Sequence, residues 1–294
     1  MPPPNPEYLY RYCSVERAIQ VLRDRKLYLC PPADFNDLYE GTIARLTQYS
    51  SDAGLNLVAK IASMRHSIPL DEARQMLKAR MPESEIKRTF DDTAKWLVGP
   101  AEELRTCSGV TCFSVRRDDQ HMWGTYGVNH SGVCIEFSNR SGTSEIFQRA
   151  QPVLYKDGSL ADKLPEVLDD DMSLNLHRLA LWCYFVRSTD WRDEREWRVF
   201  TLSTRPLSHA ERLLPFEAQD VHRIFCGPRM NPDQRKELGK LAAAPNCPWA
   251  IIDLKPDVHA GITQFEGVDV LDSKPDFAYW FPEAFSSWKA KSHD

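Results

Sequence analysis

Between residues 50 and 105 the chain repeats apolar side chains at helical spacing, and to either side of that block its apolar runs are short and strand-like. The segments "GLNLVAKIASMRH", "LDEARQMLKARM" and "SEIKRTFDDTAKWLVGPAEELR" each carry the periodicity of an amphipathic helix. Outside them, "YLYRYCS", "KLYLC", "SGVTCFSV", "GVCIEFS", "QPVLYKDG", "REWRVFTL", "VHRIFCGPRM" and "WAIIDLKP" have the length and composition of strands. Further helices are expected at "SVERAIQVLRDRKL", with Ser14 as N-cap, over 160–187, and at "NPDQRKELGKLAAA". Strands and helices follow one another without regular alternation and without an internal repeat. The pattern predicts an α+β fold: a curved mixed sheet in a single domain over 1–294, with a helical insertion at about 50–105.

Composition narrows the function classes. A net charge of -5 gives no broad attraction for a nucleic-acid backbone. No apolar run reaches the length that crosses a bilayer, and "MPPPNPEYLYRY" lacks the basic and apolar parts of a secretory signal, so a cytoplasmic protein with no membrane partner is expected. The eight cysteines form no C-x-x-C pair and sit mostly in apolar runs, as reduced, buried thiols do. No metal site is expected from them.

Three groups of residues carry more polar chemistry than a core or a surface requires. In "YRYCS", strand alternation puts Tyr10 and Tyr12 on one face and Arg11 on the other. The nearby "PPADFNDLYEG" adds Asn36, Asp37 and Glu40, residues that also suit an Asx turn. In "MWGTYGVNHSG", a helix from Met122 to Asn129 would align Trp123, Tyr126 and His130 on one face, whereas Gly124 and Gly127 weaken that helix and admit close neighbours. Met122 and Trp123 are expected to pack, and Tyr126 and His130 to face a cleft. In "WRDEREWRVFTL", a strand projects Glu194, Glu196 and Arg198 from one face and Arg195, Trp197 and Val199 from the other. Two carboxylates so placed are costly to bury unless they pair or bind something.

On "LYRYCS", "LYLCPPADFNDLYEG", "TCFSV", "MWGTYGVNHSGVCIEF", "VLYKD" and "WRDEREWRVF", the chain resembles the bacterial domain-of-unknown-function 2971 family. It departs at Leu38-Tyr39, where the family usually shows "NDPFE". A second resemblance, in the order of elements, is to toxin-type ADP-ribosyltransferases. It implies an ADP-ribosyltransferase-like split sheet and NAD as substrate, with Glu196 as catalytic carboxylate and Glu194 positioning the acceptor or nucleophile. Tyr126, with Trp123 and His130, would meet the nicotinamide; Arg11 or Tyr12, with Asn36, Asp37 and Arg198, would hold the dinucleotide. The acceptor would be a macromolecule, protein or nucleic acid, and the setting a toxin or a phage-defence effector.

Two other readings use the same residues. A metal-dependent nuclease would take Asp37, Glu40, Glu194 and Glu196 as oxygen ligands of Mg²⁺. A non-enzymatic module would recognise a nucleotide or partner through Trp123, Tyr126 and His130, with Glu194, Glu196 and Arg198 as a structural salt network.

Overall fold

A computed structural model describes residues 5–35, 49–140, 142–155, 183–244 and 247–254, without the side chains of 96–104. Asn36, Asp37, Glu40 and most of the expected helix over 160–187 lie outside these residues.

The first strand, β1 (Tyr8–Cys13), leads directly into α1 (Val15–Asp24). The Ser14 side chain accepts the Arg17 N–H, as an N-cap should. Val15, Ala18, Ile19 and Leu22 recur along one side of α1 and are buried, while its charged residues face out. A short β2 (Lys26–Tyr28) follows. The helical block is α2 (Ser51–His66), α3 (Leu70–Arg80) and α4 (Glu83–Cys107), as its periodicity predicts. Leu55, Val58 and Ile86 bury an apolar cluster between α2 and α4, with Leu77 of α3 and Met81 packed against it.

The chain then runs through β3 (Ser108–Ser114), α5 (Gln120–Thr125), β4 (Val133–Ser138), α6 (Glu145–Gln148), β5 (Gln151–Pro152) and β6 (Leu154–Tyr155). After the undescribed stretch come β7 (Val186–Arg187), a 3-10 helix (Thr189–Glu194), β8 (Glu196–Leu202), β9 (Leu213–Pro215), β10 (Val221–Cys226), α7 (Pro232–Ala242) and β11 (Ala250–Asp253). Val186 and Arg187 are extended, so the helix expected to reach 187 stops at Phe185 or earlier.

Seven strands form one mixed sheet in the order β11-β10-β4-β1-β3-β8-β5. Only β10 and β11 pair in parallel within it. β2 pairs with β9, and β6 with β7, in two small ribbons. The chain is thus α+β with a mixed sheet and an inserted helical block.

The two faces of the large sheet differ. Leu9, Phe113, Ile135, Phe137, Trp197 and Val199 point to one side, where they bury against α1, α6 and α7. Phe137 stacks on Phe147 of α6 at 4.9 Å between ring centroids, and Phe113 and Phe216 meet Phe137 edge-on. Burial of these rings removes a large apolar area from water and so stabilises this side of the sheet. On the other face, Tyr12, Cys134 and Phe225 pack under Met122 and Trp123 of α5, and Tyr10, Glu136, Ser114, Glu196, Arg198 and Arg223 bring polar groups to it.

Candidate active site

The polar positions of that second face build a cluster of four buried charges. Glu194, Glu196, Arg187 and Arg198 are 3 %, 6 %, 5 % and 1 % exposed, values that exclude ordinary surface ion pairs. Glu196 and Arg198 reach the face through strand alternation on β8, with Trp197 and Val199 anchoring the strand in the core opposite. Glu194 arrives differently. The 3-10 helix ends at Glu194, and Arg195 takes the left-handed conformation at φ 44°, so the extended strand expected from Glu194 begins only at Glu196. The Ser114 hydroxyl donates to the Glu194 carbonyl at 2.8 Å, which ties this turn to the end of β3. The turn folds the Glu194 carboxylate back beside that of Glu196.

One nitrogen bridges them. Arg187 Nη1 lies 2.5 Å from Glu194 Oε2 and 2.9 Å from Glu196 Oε2. Arg198 Nη2 holds the same Glu196 oxygen at 2.6 Å, and its Nη1 donates to the Tyr184 carbonyl. The second Glu194 oxygen accepts the Tyr126 hydroxyl at 2.8 Å. Beneath Glu196, its backbone N–H donates to the Tyr155 hydroxyl at 2.8 Å. Arg187 and Tyr155 stand opposite each other in the β6–β7 ribbon, and the Arg187 guanidinium lies 4.3 Å from the centre of the Trp191 ring.

The two carboxylates therefore differ. Burial pushes Glu194 above the usual carboxylate range, the Glu196 charge adds to this, and Arg187 opposes it only in part. Burial acts in the same direction on Glu196, but the Arg198 and Arg187 guanidiniums outweigh it and hold Glu196 below that range. Burial, then the Glu194 charge, raises the Tyr126 hydroxyl, so Tyr126 stays protonated and donates.

Of the residues singled out in the sequence, Glu194, Glu196, Arg198 and Tyr126 come together. Tyr12 and Trp123 lie beside them as a packed support. The Tyr12 hydroxyl is 2.7 and 2.6 Å from the Arg116 and Arg117 carbonyls, Trp123 Nε1 donates to the Arg117 carbonyl at 2.9 Å, and the two rings meet edge-on. Arg11 does not join them, which corrects the expected convergence. It extends from the opposite face of β1 to Thr111 Oγ1 at 2.6 Å and the Cys112 carbonyl at 3.2 Å.

His130 is also displaced from its expected alignment. The helix that would carry it ends at Thr125, and Val128, Asn129 and His130 all have φ between 51° and 66°. This left-handed turn reverses the chain, and the His130 carbonyl accepts the Arg229 N–H at 3.0 Å. Its ring makes no hydrogen bond to the described residues. Gly227 is required where that loop meets the turn, because a Cβ there would lie 2.2 Å from the His130 oxygen.

Arg187 and Tyr155 were missed in the sequence. The available signal was electrostatic: an E-x-E pair with one Arg on its face leaves a negative charge to be matched if it is buried. Among the described residues, no three His, Cys, Asp or Glu side chains gather as a metal site would need, and no helix is long and apolar enough to cross a membrane.

Neither the curated proteins nor the solved structures yielded a match to this chain. The segment that supplies every side chain of the buried cluster, residues 122–199, matches the model of a family described as "Protein of unknown function (DUF2971)".

Proposed function

We propose that the cluster is the acid–base centre of an enzyme that breaks the nicotinamide–ribose bond of NAD and passes ADP-ribose to a protein, a nucleic acid or water. The observation that carries this reading is the pair of buried carboxylates in unequal environments on one guanidinium. Environments that push two neighbouring acids apart mark separate acid–base roles. Both Oε2 atoms contact Arg187 Nη1, so the two carboxylates lie side by side, and paired carboxylates are the groups that act on glycosidic bonds.

In this reading Glu196 is the fixed anion, oriented by two arginines, that supports positive charge developing on the ribose. Glu194 is the group that exchanges a proton, with Tyr126 linking it to the partly exposed surface. Nicotinamide leaves with the bonding electron pair, the acceptor oxygen or nitrogen bonds to the ribose carbon, and the acceptor proton passes through Tyr126 to Glu194. The Tyr126 ring offers a flat surface to nicotinamide, and Trp123 supports it from below. Arg11, on the other face, takes no part. The split-sheet fold of ADP-ribosyltransferases and a cytoplasmic toxin or antiviral-defence setting belong to the same proposal.

The test is incubation with adenylate-labelled NAD and cell extract, following nicotinamide release and label transfer. Glu194→Gln should lower the rate by about 10²–10⁴-fold while its melting temperature stays near wild type. Absence of nicotinamide release, together with no effect of NAD on the melting curve, would refute it. The ion pairs that Arg187 and Arg198 make with Glu194 and Glu196 favour a second reading, a binding module with a structural salt network. On that reading Glu196→Gln lowers stability and there is no turnover to lose.

A further inference from the structure

The far end of the same sheet face carries polar residues that the Glu194 cluster does not use. Arg223, Glu136, Tyr10, Ser114 and Glu196 stand opposite one another on five successive strands, a single line across the sheet. Glu136 is 2 % exposed, so its charge needs compensation. It receives the Tyr10 hydroxyl, His222 Nδ1 at 2.5 Å and, more distantly, Arg223 Nε at 3.8 Å.

His222 reaches Glu136 only because β10 is bulged. Simple alternation would place Val221 with Arg223 and Phe225 on the polar face, and His222 with Ile224 and Cys226 in the core. Instead Val221, Ile224 and Cys226 all lie in the core cluster, and the pairing with β4 slips between Val221 and Arg223. His222 is the extra residue, and the bulge turns it onto the face of Glu136, a re-aiming of a side chain that bulges provide near functional sites. Tyr8 stacks on the imidazole at 4.8 Å and 15° between planes. With Nδ1 held by the carboxylate and one ring face covered, Nε2 makes no hydrogen bond to any described residue, and the side chain remains 38 % exposed.

We propose that His222 and Arg223 form a binding site for a ribose phosphate, in which Nε2 accepts a hydrogen bond from a sugar hydroxyl and guanidinium groups hold the phosphate. With Glu136 Oε1 accepting the Nδ1–H, the tautomer is the one that leaves the Nε2 lone pair outward. Arg223 is 42 % exposed at its side chain and meets Glu136 only at long range, so its N–H donors are available to an anion. Arg117 adds a second cation: its guanidinium lies 5.0 Å from the centre of the Phe225 ring, next to Cys134 and two residues from Arg223, while pairing with Asp118 at 2.8 Å. The site does not depend on cleavage of NAD.

The experiment uses the full chain labelled with ¹⁵N-histidine and AMP as the probe. His222 should show a protonated Nδ1 held by Glu136 and a bare Nε2. AMP should shift these resonances saturably and bind at least several-fold more tightly than adenosine. His222→Gln and Arg223→Gln should each abolish the calorimetric signal with the melting temperature retained, and Tyr10→Phe, which removes one hydroxyl, should weaken it with the fold intact. Glu194→Gln should leave AMP affinity unchanged, which separates this site from the NAD reading. A protonated Nε2, the absence of any AMP response, or binding that survives both glutamine variants would overturn the proposal.

Discussion

Replacing Arg187 by Met tests the account of the buried cluster most directly. Met keeps the length and most of the apolar volume of the stem but removes the cation that Glu194 and Glu196 share. Glu196 would retain Arg198, whereas among the described residues Glu194 would keep only the Tyr126 hydroxyl against a neighbouring negative charge. Removing one partner of a buried ion pair costs about 3–5 kcal/mol. At about 2–4 °C per kcal/mol for a chain of this size class, the melting temperature should fall by roughly 6–20 °C. Differential scanning calorimetry at neutral pH reads this directly. The same reasoning requires rescue: Arg187→Met combined with Glu194→Gln removes the uncompensated charge and should recover a large part of the loss. A single variant that melts with the wild type, or a double variant as unstable as the single one, would show that Arg187 does not balance this pair.

The pH dependence of the two carboxylates should have opposite signs. Glu194 has a raised folded-state value, so its contribution to stability is fully present below the ordinary carboxylate range and is lost as pH rises through the raised value. Wild type should therefore gain on Glu194→Gln as pH falls from neutrality. Glu196 has a lowered value, so its contribution is present above the ordinary range and lost on acidification, and wild type should lose ground to Glu196→Gln in the same titration. Parallel melting series in one buffer set, with equal slopes, would contradict this. In the turn after α5, Val128 is β-branched, exposed and left-handed, so Val128→Gly should stabilise the protein by about 1 kcal/mol in a denaturant titration. Gly124→Ala should also stabilise, by roughly 0.5–1 kcal/mol, because nothing lies within 4 Å of an added Cβ, whereas Gly127→Ala should destabilise because the Trp123 ring lies at 2.7 Å.

Much of the frame was legible because it rests on local periodicity. The helical block, β1, β3, β4 and the core anchors Trp197 and Val199 follow from spacing alone. Alternation also separated Arg11 from Tyr10 and Tyr12; what it lacked was the knowledge that Glu196 shares the tyrosine face. The misses have one common cause, backbone conformations that break the local period. Arg195 turns left-handed and brings Glu194 in by a route no strand pattern shows, and three left-handed residues remove His130 from the helix face. Arg187 ends an apolar run that suits a helix as well as a strand, and only tertiary pairing with β6 makes it extended. His222 reads as a core position in "VHRIFC" until the bulge is seen.

These breaks are not scattered over the molecule. Arg195, the turn at Val128–His130 and the bulge at His222 all border the polar face of the sheet, and the aromatic core lies on the other. A fold stabilised mainly by one face has no need of buried charge on its second face, where each ion costs several kcal/mol unless it is matched. Here the charges are matched in two groups, Glu194 and Glu196 by Arg187 and Arg198 at one end, Glu136 by His222 and Arg223 at the other, with Tyr10 and Ser114 between them. Local strain that serves only to place these side chains is the kind that persists when surrounding structure over-determines it. The middle of the line carries no charge: Tyr10 is partly exposed there and Ser114 is buried.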